Sequence, residues 1–195
     1  NDYVSFALSV FFMVGVTNAF NLIDGIDGLA GGLGGINCLT FGGLMYVYEQ
    51  YEFAILALAI GGSLLAFLRY NFSSYPTKIF MGDTGSLLLG LTVSILSIVF
   101  MNTSAQSGAL GVISPPIVVL GIIFIPVMDT FRVIMIRVLD GRSPFSPDRN
   151  HIHHQFLESG VTHKMASVAL YAINIALVVT VIAFHKSESI LLGVL

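Results

Sequence analysis

Charge is what this sequence has least of. Its 195 residues carry 8 basic and 11 acidic side chains, 10 % in all, against 55 % apolar types. A soluble domain carries roughly 25 % charged residues. Nineteen charges cannot cover a globule of this size with a water-facing surface, so the composition points to an integral membrane protein. The net charge of −3 argues against a general nucleic-acid binder. The single cysteine, Cys38, excludes a disulfide framework and most cysteine-based metal sites. It lies in an apolar run and reads as a small buried side chain. No positively charged segment precedes the first apolar run at Val4, so no signal peptide is expected.

What is abundant is long uncharged sequence. A helix needs about 20 apolar residues to cross a bilayer. Tyr3–Ile23 and Gly28–Tyr48 carry no charge, and Phe53–Leu68 is shorter with Arg69 at its end, placed to snorkel to the interface. Thr84 to Met128 is again uncharged and too long for one crossing; Asn102–Gly108 and Pro115-Pro116 interrupt it. The expected spans there are Ser86–Met101 and Ile117–Leu139, and a sixth runs over Met165–Phe184. None of these runs alternates as barrel strands do, and lipid leaves backbone groups no water to bond. The expected fold is all-α, a polytopic transmembrane bundle of about six spans in one integral membrane domain, residues 1–195. Ser189–Leu195 reads as the start of another span, and the chain as a fragment of a longer protein.

Basic residues are also missing from alternate loops. The first, third and fifth loops with their helix ends hold seven of the eight, Lys186 being the exception. By the positive-inside rule those loops are cytoplasmic and the N-terminus faces outward. Every unusual polar cluster falls in the same three loops and their helix ends. One-sided chemistry of this kind suits an enzyme supplied from the cytosol better than a transporter.

Three clusters carry that chemistry. In the first, Asn18, Asn21, Asp24 and Asp27 recur every three residues, with Gly25 and Gly28 between and after the aspartates. Residues three apart share a helix face; the same residue types also make ordinary turns, although carboxylates at a membrane boundary tend to be functional. In the second, Phe80 precedes Gly82-Asp83-Thr84-Gly85-Ser86. This is either a helix cap or an anion site at a helix N-terminus, in which a divalent cation would join Asp83 to a diphosphate. The third places Arg149 beside His151, His153 and His154. Zinc, a solvated loop and a patch for phosphate and sugar are the three readings, with Arg149 suited to bidentate phosphate contacts. Asp129 and Arg132, three apart, are expected to pair structurally. Together the clusters describe a site for phosphoryl transfer, where catalysis is mostly positioning and charge neutralisation.

Asn18–Ala30 (NAFNLIDGIDGLA), Phe80–Leu87 (FMGDTGSL) and Arg142–His154 (RSPFSPDRNHIHH) resemble the polyprenyl-phosphate N-acetylhexosamine-1-phosphate transferase family, glycosyltransferase 4. They occur in the family's order, with apolar helices between them. The His-Ile-His-His form is similar to the WecA/TagO branch; the MraY branch has three consecutive histidines. The resemblance implies transfer of a sugar-1-phosphate from a UDP-sugar, UDP-N-acetylglucosamine for this branch, to undecaprenyl phosphate. UMP would be released at the cytoplasmic face of the bacterial inner membrane, in cell-wall biogenesis, for lipopolysaccharide, teichoic acid or another glycan. It implies Mg²⁺, with Mn²⁺ as a substitute. Asp83 then corresponds to the main metal carboxylate, assisted by Asn21. Asp24 and Asp27 match catalytic positions near the nucleotide, Asp27 by the uracil, with Phe80 stacking on that base. Arg149, His151, His153 and His154 match the loop that holds diphosphate and sugar, His151 and His153 taking part in catalysis. The other readings are a non-catalytic carrier or binder of lipid-linked sugars, and an MraY-type transferase using UDP-N-acetylmuramoyl-pentapeptide. The family also carries an adjacent Asp-Asp pair, and none occurs in these 195 residues. The chain is therefore expected to be the C-terminal half to two-thirds of a family member, inactive alone.

Overall fold

A computed structural model describes residues 1–107, 114–143 and 162–192. Among the described residues the regular elements are all helices: α1 (Asp2–Ile23), α2 (Leu29–Val47), α3 (Tyr51–Asn71), α4 (Gly82–Ser107), α5 (Pro115–Ile122), α6 (Phe124–Leu139) and α7 (His163–Leu192). Among them α1, α3, 82–105 of α4 and 163–183 of α7 are long and apolar enough to cross a membrane, and the bent pair α5–α6 makes a fifth if it counts as one span. The chain is a multi-pass helical membrane protein. On α1, Tyr3, Phe6, Leu8, Phe11 and Val14 are exposed, far more contiguous apolar surface than a soluble monomer presents.

The second expected span, α2, is a helix sheathed by its neighbours. Gly31, Gly32, Gly34, Gly35 and Gly42 are all buried along it. Glycine removes side-chain bulk, so helix backbones approach closely, the usual packing device in membranes. Chain hydropathy falls as a result, and α2 packs against α3, α4 and α7. Phe20, Leu33, Phe41, Met45, Val93, Leu96 and Phe100 fill the space among α1, α2 and α4.

Three expectations need correction. Ile117–Leu139 is not one straight span: α5 and α6 meet at Ile123 with a bend of 79°. Pro126 lacks the N–H that an unbroken helix would give to the Ile122 carbonyl, and its ring crowds that oxygen. Asn102–Ser107 does not end the fourth span; α4 runs through it, since polar residues without proline or glycine do not stop a helix. Ser189–Leu192 opens no further span but continues α7, with neither glycine nor proline between His185 and Leu192 to break it.

Candidate active site

The first turn-forming segment, 24–28, joins α1 to α2 at one end of the bundle. Gly28 has φ +80°, and a Cβ placed there would lie 2.0 Å from the Phe72 ring. Left-handed backbone without a Cβ is what glycine supplies. Three other elements grip this segment. Asn71, the last residue of α3, accepts the Gly28 N–H and donates to Ile79 O at 2.8 Å. On α7, Ser167 Oγ donates to Asp27 O at 2.8 Å, and the Tyr171 hydroxyl donates to Gly28 O. Lys78 Nζ lies 2.7 Å from Asp27 Oδ2. The same ammonium stands 5.1 Å from the centroid of the Phe80 ring, which is 75 % exposed.

Asp83 arrives from the start of α4. At Gly90 a Cβ would come within 2.6 Å of Thr17 Cα, so glycine there lets α1 and α4 touch backbone to backbone one turn below the site. That contact brings Asn21 Nδ2 to 3.2 Å from Asp83 Oδ1 and 3.0 Å from Ser86 Oγ. Asp83 is exposed and lies in the first turn of α4, where the helix dipole favours a carboxylate. Asn18, one turn earlier on α1, is exposed and instead lines a groove with Thr17, Thr84 and Leu87.

Asp24 caps the end of α1 and is half-buried. Burial, and then the nearby Asp83 carboxylate, raise its pKa from 3.8 to about 6. Between those two values the folded chain binds more protons than the unfolded chain, so stability contributed by this group is present at low pH and falls as pH rises from about 4 to 6. In chelator, thermal unfolding of the parent protein is expected to show that decline, and Asp24→Asn to remove it. Parallel parent and variant profiles would contradict the assignment.

Asn21, Asp24, Asp27, Phe80 and Asp83 therefore gather at one end of the bundle. Arg149, His151, His153 and His154 lie outside the described residues. Asp129 and Arg132 do pair, at 3.9 Å within α6, with Asp129 2 % exposed. Sequence reasoning missed Lys78, Asn71, Ser167 and Tyr171. A lysine two residues before Phe80 was the available signal for the first; hydroxyls in the apolar run of α7 gave none.

This donor set fits Mg²⁺. Mg²⁺ needs one or two carboxylates and takes its other ligands from water and phosphate oxygens. Asp83 offers an exposed carboxylate and Asn21 an amide beside it. Among the described residues no group of three or more His, Cys, Asp or Glu could cage a metal alone.

An apolar groove of about 740 Å³ runs along α1 from Ser5 to Ala19, between α4 and the bent α5–α6 pair, lined by Phe12, Val16, Met101, Leu120, Val127 and Phe131 among others.

Comparison with known proteins gives consistent matches. The "Probable undecaprenyl-phosphate N-acetylglucosaminyl 1-phosphate transferase" of Bacillus subtilis is 39 % identical over 191 residues, 98 % of this chain and 51 % of that protein. The "Undecaprenyl-phosphate alpha-N-acetylglucosaminyl 1-phosphate transferase" of Escherichia coli K12 is 36 % identical over 168 residues, 84 % of this chain and 43 % of that one. The "Decaprenyl-phosphate N-acetylglucosaminephosphotransferase" of Mycobacterium tuberculosis H37Rv is 34 % identical over 199 residues, covering 95 % and 48 %. The chain thus spans about half the length of the curated relatives it matches. The model of glycosyl transferase family 4 matches residues 1–101, which contain Asn21, Asp24, Asp27, Phe80 and Asp83, and the chain belongs to that family.

Proposed function

We propose that the full-length protein transfers N-acetylglucosamine-1-phosphate from UDP-N-acetylglucosamine to undecaprenyl phosphate. The reaction would take place at the cytoplasmic face of a bacterial inner membrane and release UMP. The observation that carries this reading is the convergence of Asn21, Asp24, Asp27, Phe80 and Asp83 at one end of the bundle. The names of the relatives support N-acetylglucosamine-1-phosphate as the transferred group and a polyprenyl phosphate as the acceptor.

In this mechanism an oxygen of the lipid phosphate attacks the sugar-bearing phosphorus of the donor. A new P–O bond forms, the bond to the bridging oxygen breaks, and UMP leaves with that oxygen. Asp83, with Asn21 beside it, would hold Mg²⁺. Bound there, the ion would neutralise phosphate charge and stabilise the leaving UMP. Asn21 steadies Asp83 by hydrogen bonding to its carboxylate. Asp27, fixed by Lys78, faces the nucleotide, and the exposed Phe80 ring offers a stacking surface for uracil. Arg149 and the histidines of 151–154 are assigned to the diphosphate and sugar. The groove along α1 and α6, which reaches Ala19 two residues before Asn21, receives the isoprenoid chain.

The test is an assay of the full-length protein in detergent with a panel of UDP-sugars and undecaprenyl phosphate. UMP release with UDP-N-acetylglucosamine, abolished by chelator and restored by Mg²⁺, is expected. Binding of lipid-linked sugar without UMP release would instead identify a carrier, and turnover only with UDP-N-acetylmuramoyl-pentapeptide would move the protein to the other branch.

A further inference from the structure

Two asparagines sit where a membrane bundle least tolerates polar groups. Asn37 on α2 and Asn174 on α7 are both 0 % exposed, and their amides meet at 3.1 Å. An amide's oxygen and nitrogen have nearly the same shape, so the neighbours decide which is which. The Asn37 amide atom that points at α5 has Ile122 O at 2.8 Å and Leu33 O at 3.2 Å. Two carbonyl oxygens require a donor between them, so that atom is Nδ2. Turning the Asn174 amide to match would present its oxygen to Asn37 Nδ2 in place of the nitrogen now 3.1 Å away, and would give that oxygen, now without a partner, a donor.

The position of Ile122 gives this arrangement a purpose. It is the last residue of α5, and four residues on stands Pro126. In an unbroken helix the N–H of residue 126 would serve Ile122 O; proline has none. No water is at hand in a bilayer to replace it, so the carbonyl at the bend must be served by a side chain. Thr130 Oγ1 donates to Pro126 O at 3.0 Å, a back-bond that also favours bending. The bend in turn shapes the groove: Leu120 and Ile123 line it from one side of the break, Val127 and Phe131 from the other.

We propose that Asn37, seated on Asn174, is a positioning residue that captures the Ile122 carbonyl released by Pro126, holds the α5–α6 bend, and so sets the shape of the groove for the isoprenoid chain. The last clause rests on the acceptor reading given above; the capture itself does not.

The test uses full-length protein in lipid nanodiscs, with spin labels at exposed Val4 of α1 and Leu139 of α6. Asn37→Leu is expected to shift and broaden the label-to-label distance and to raise KM for undecaprenyl phosphate about tenfold, as for a lost buried hydrogen bond. KM for the UDP-sugar should stay within twofold. Asn37→Gln, which keeps an amide, should recover part of both effects. In a Pro126→Ala background residue 126 regains its N–H, so adding Asn37→Leu should change nothing further. If Asn37→Leu alone does not fold, restoration of folded protein by Pro126→Ala is the expected result. Unchanged distances in Asn37→Leu, or the same loss with and without Pro126, would overturn the capture. A shifted bend with unchanged lipid KM would overturn the groove assignment and leave the capture standing.

Discussion

Asp83→Asn in the full-length protein is expected to lower kcat for UMP release by about 10³-fold while leaving the fold intact. A metal at a transferring phosphoryl group contributes several kcal/mol of charge stabilisation, and each ~1.4 kcal/mol is a factor of ten in rate. The substitution removes the carboxylate charge but keeps an oxygen in place, so the bond from Asn21 Nδ2, now 3.2 Å long, can persist. It also removes the repulsion that contributes to the raised pKa of Asp24, so thermal stability near neutral pH should hold or rise. This split between activity and stability separates a metal ligand from a helix-start residue. A simple cap would lose stability, roughly 1 kcal/mol, and keep turnover. Measured by coupled UMP release at saturating Mg²⁺ and by thermal unfolding of the same preparations, normal turnover in Asp83→Asn would end the metal assignment.

Gly28→Ala carries the second large effect, by a different route. An L-residue in left-handed backbone costs roughly 1–2 kcal/mol, and overpacking adds roughly 1–3 kcal/mol. At φ +80° the added methyl meets the Phe72 ring at 2.0 Å, so both penalties apply and the sum is roughly 2–5 kcal/mol. Relief would come from moving the 24–28 segment, which pulls on the bonds from Asn71, Ser167 and Tyr171 and displaces Asp27 from Lys78. The variant should unfold at markedly lower temperature and lose turnover together. Phe72→Ala added to it should return the steric share of the stability but not the backbone share. Full recovery in the double variant would mean that the backbone conformation at residue 28 matters little.

Much of this was legible in the sequence, and the limits follow from distance along the chain. Long uncharged runs and the loop charges gave the helices and the clustering of polar segments, because hydropathy is local. Three-residue spacing put Asn18 and Asn21 on one face of α1, but only the packing of α4 decides that Asn21 reaches Asp83, 62 residues away, while Asn18 stays exposed. In the sequence Lys78 is one basic residue of a loop; its attachment to Asp27 depends on how the α3–α4 connection folds back over 24–28. Pro115-Pro116 was a readable break, since proline suits the first turn of the helix that follows. Pro126 was an equally readable one, hidden by a run whose apolar character did not change across it. Ser167 and Tyr171 act through hydroxyls in an apolar helix, and periodicity carries no trace of that.

The clamp on the 24–28 segment has a consequence in the order of events during synthesis. Ser167 meets Asp27 across 140 residues of chain, and Tyr171 meets Gly28 across 143. A nascent chain that has made α1 through α4 already contains Asn21, Asp24, Asp27, Phe80 and Asp83, but two of the bonds that fix their loop do not yet exist. Contacts so remote in sequence form only after the intervening chain has been closed into place. The carboxylates are therefore assembled early and locked last, by the final described helix.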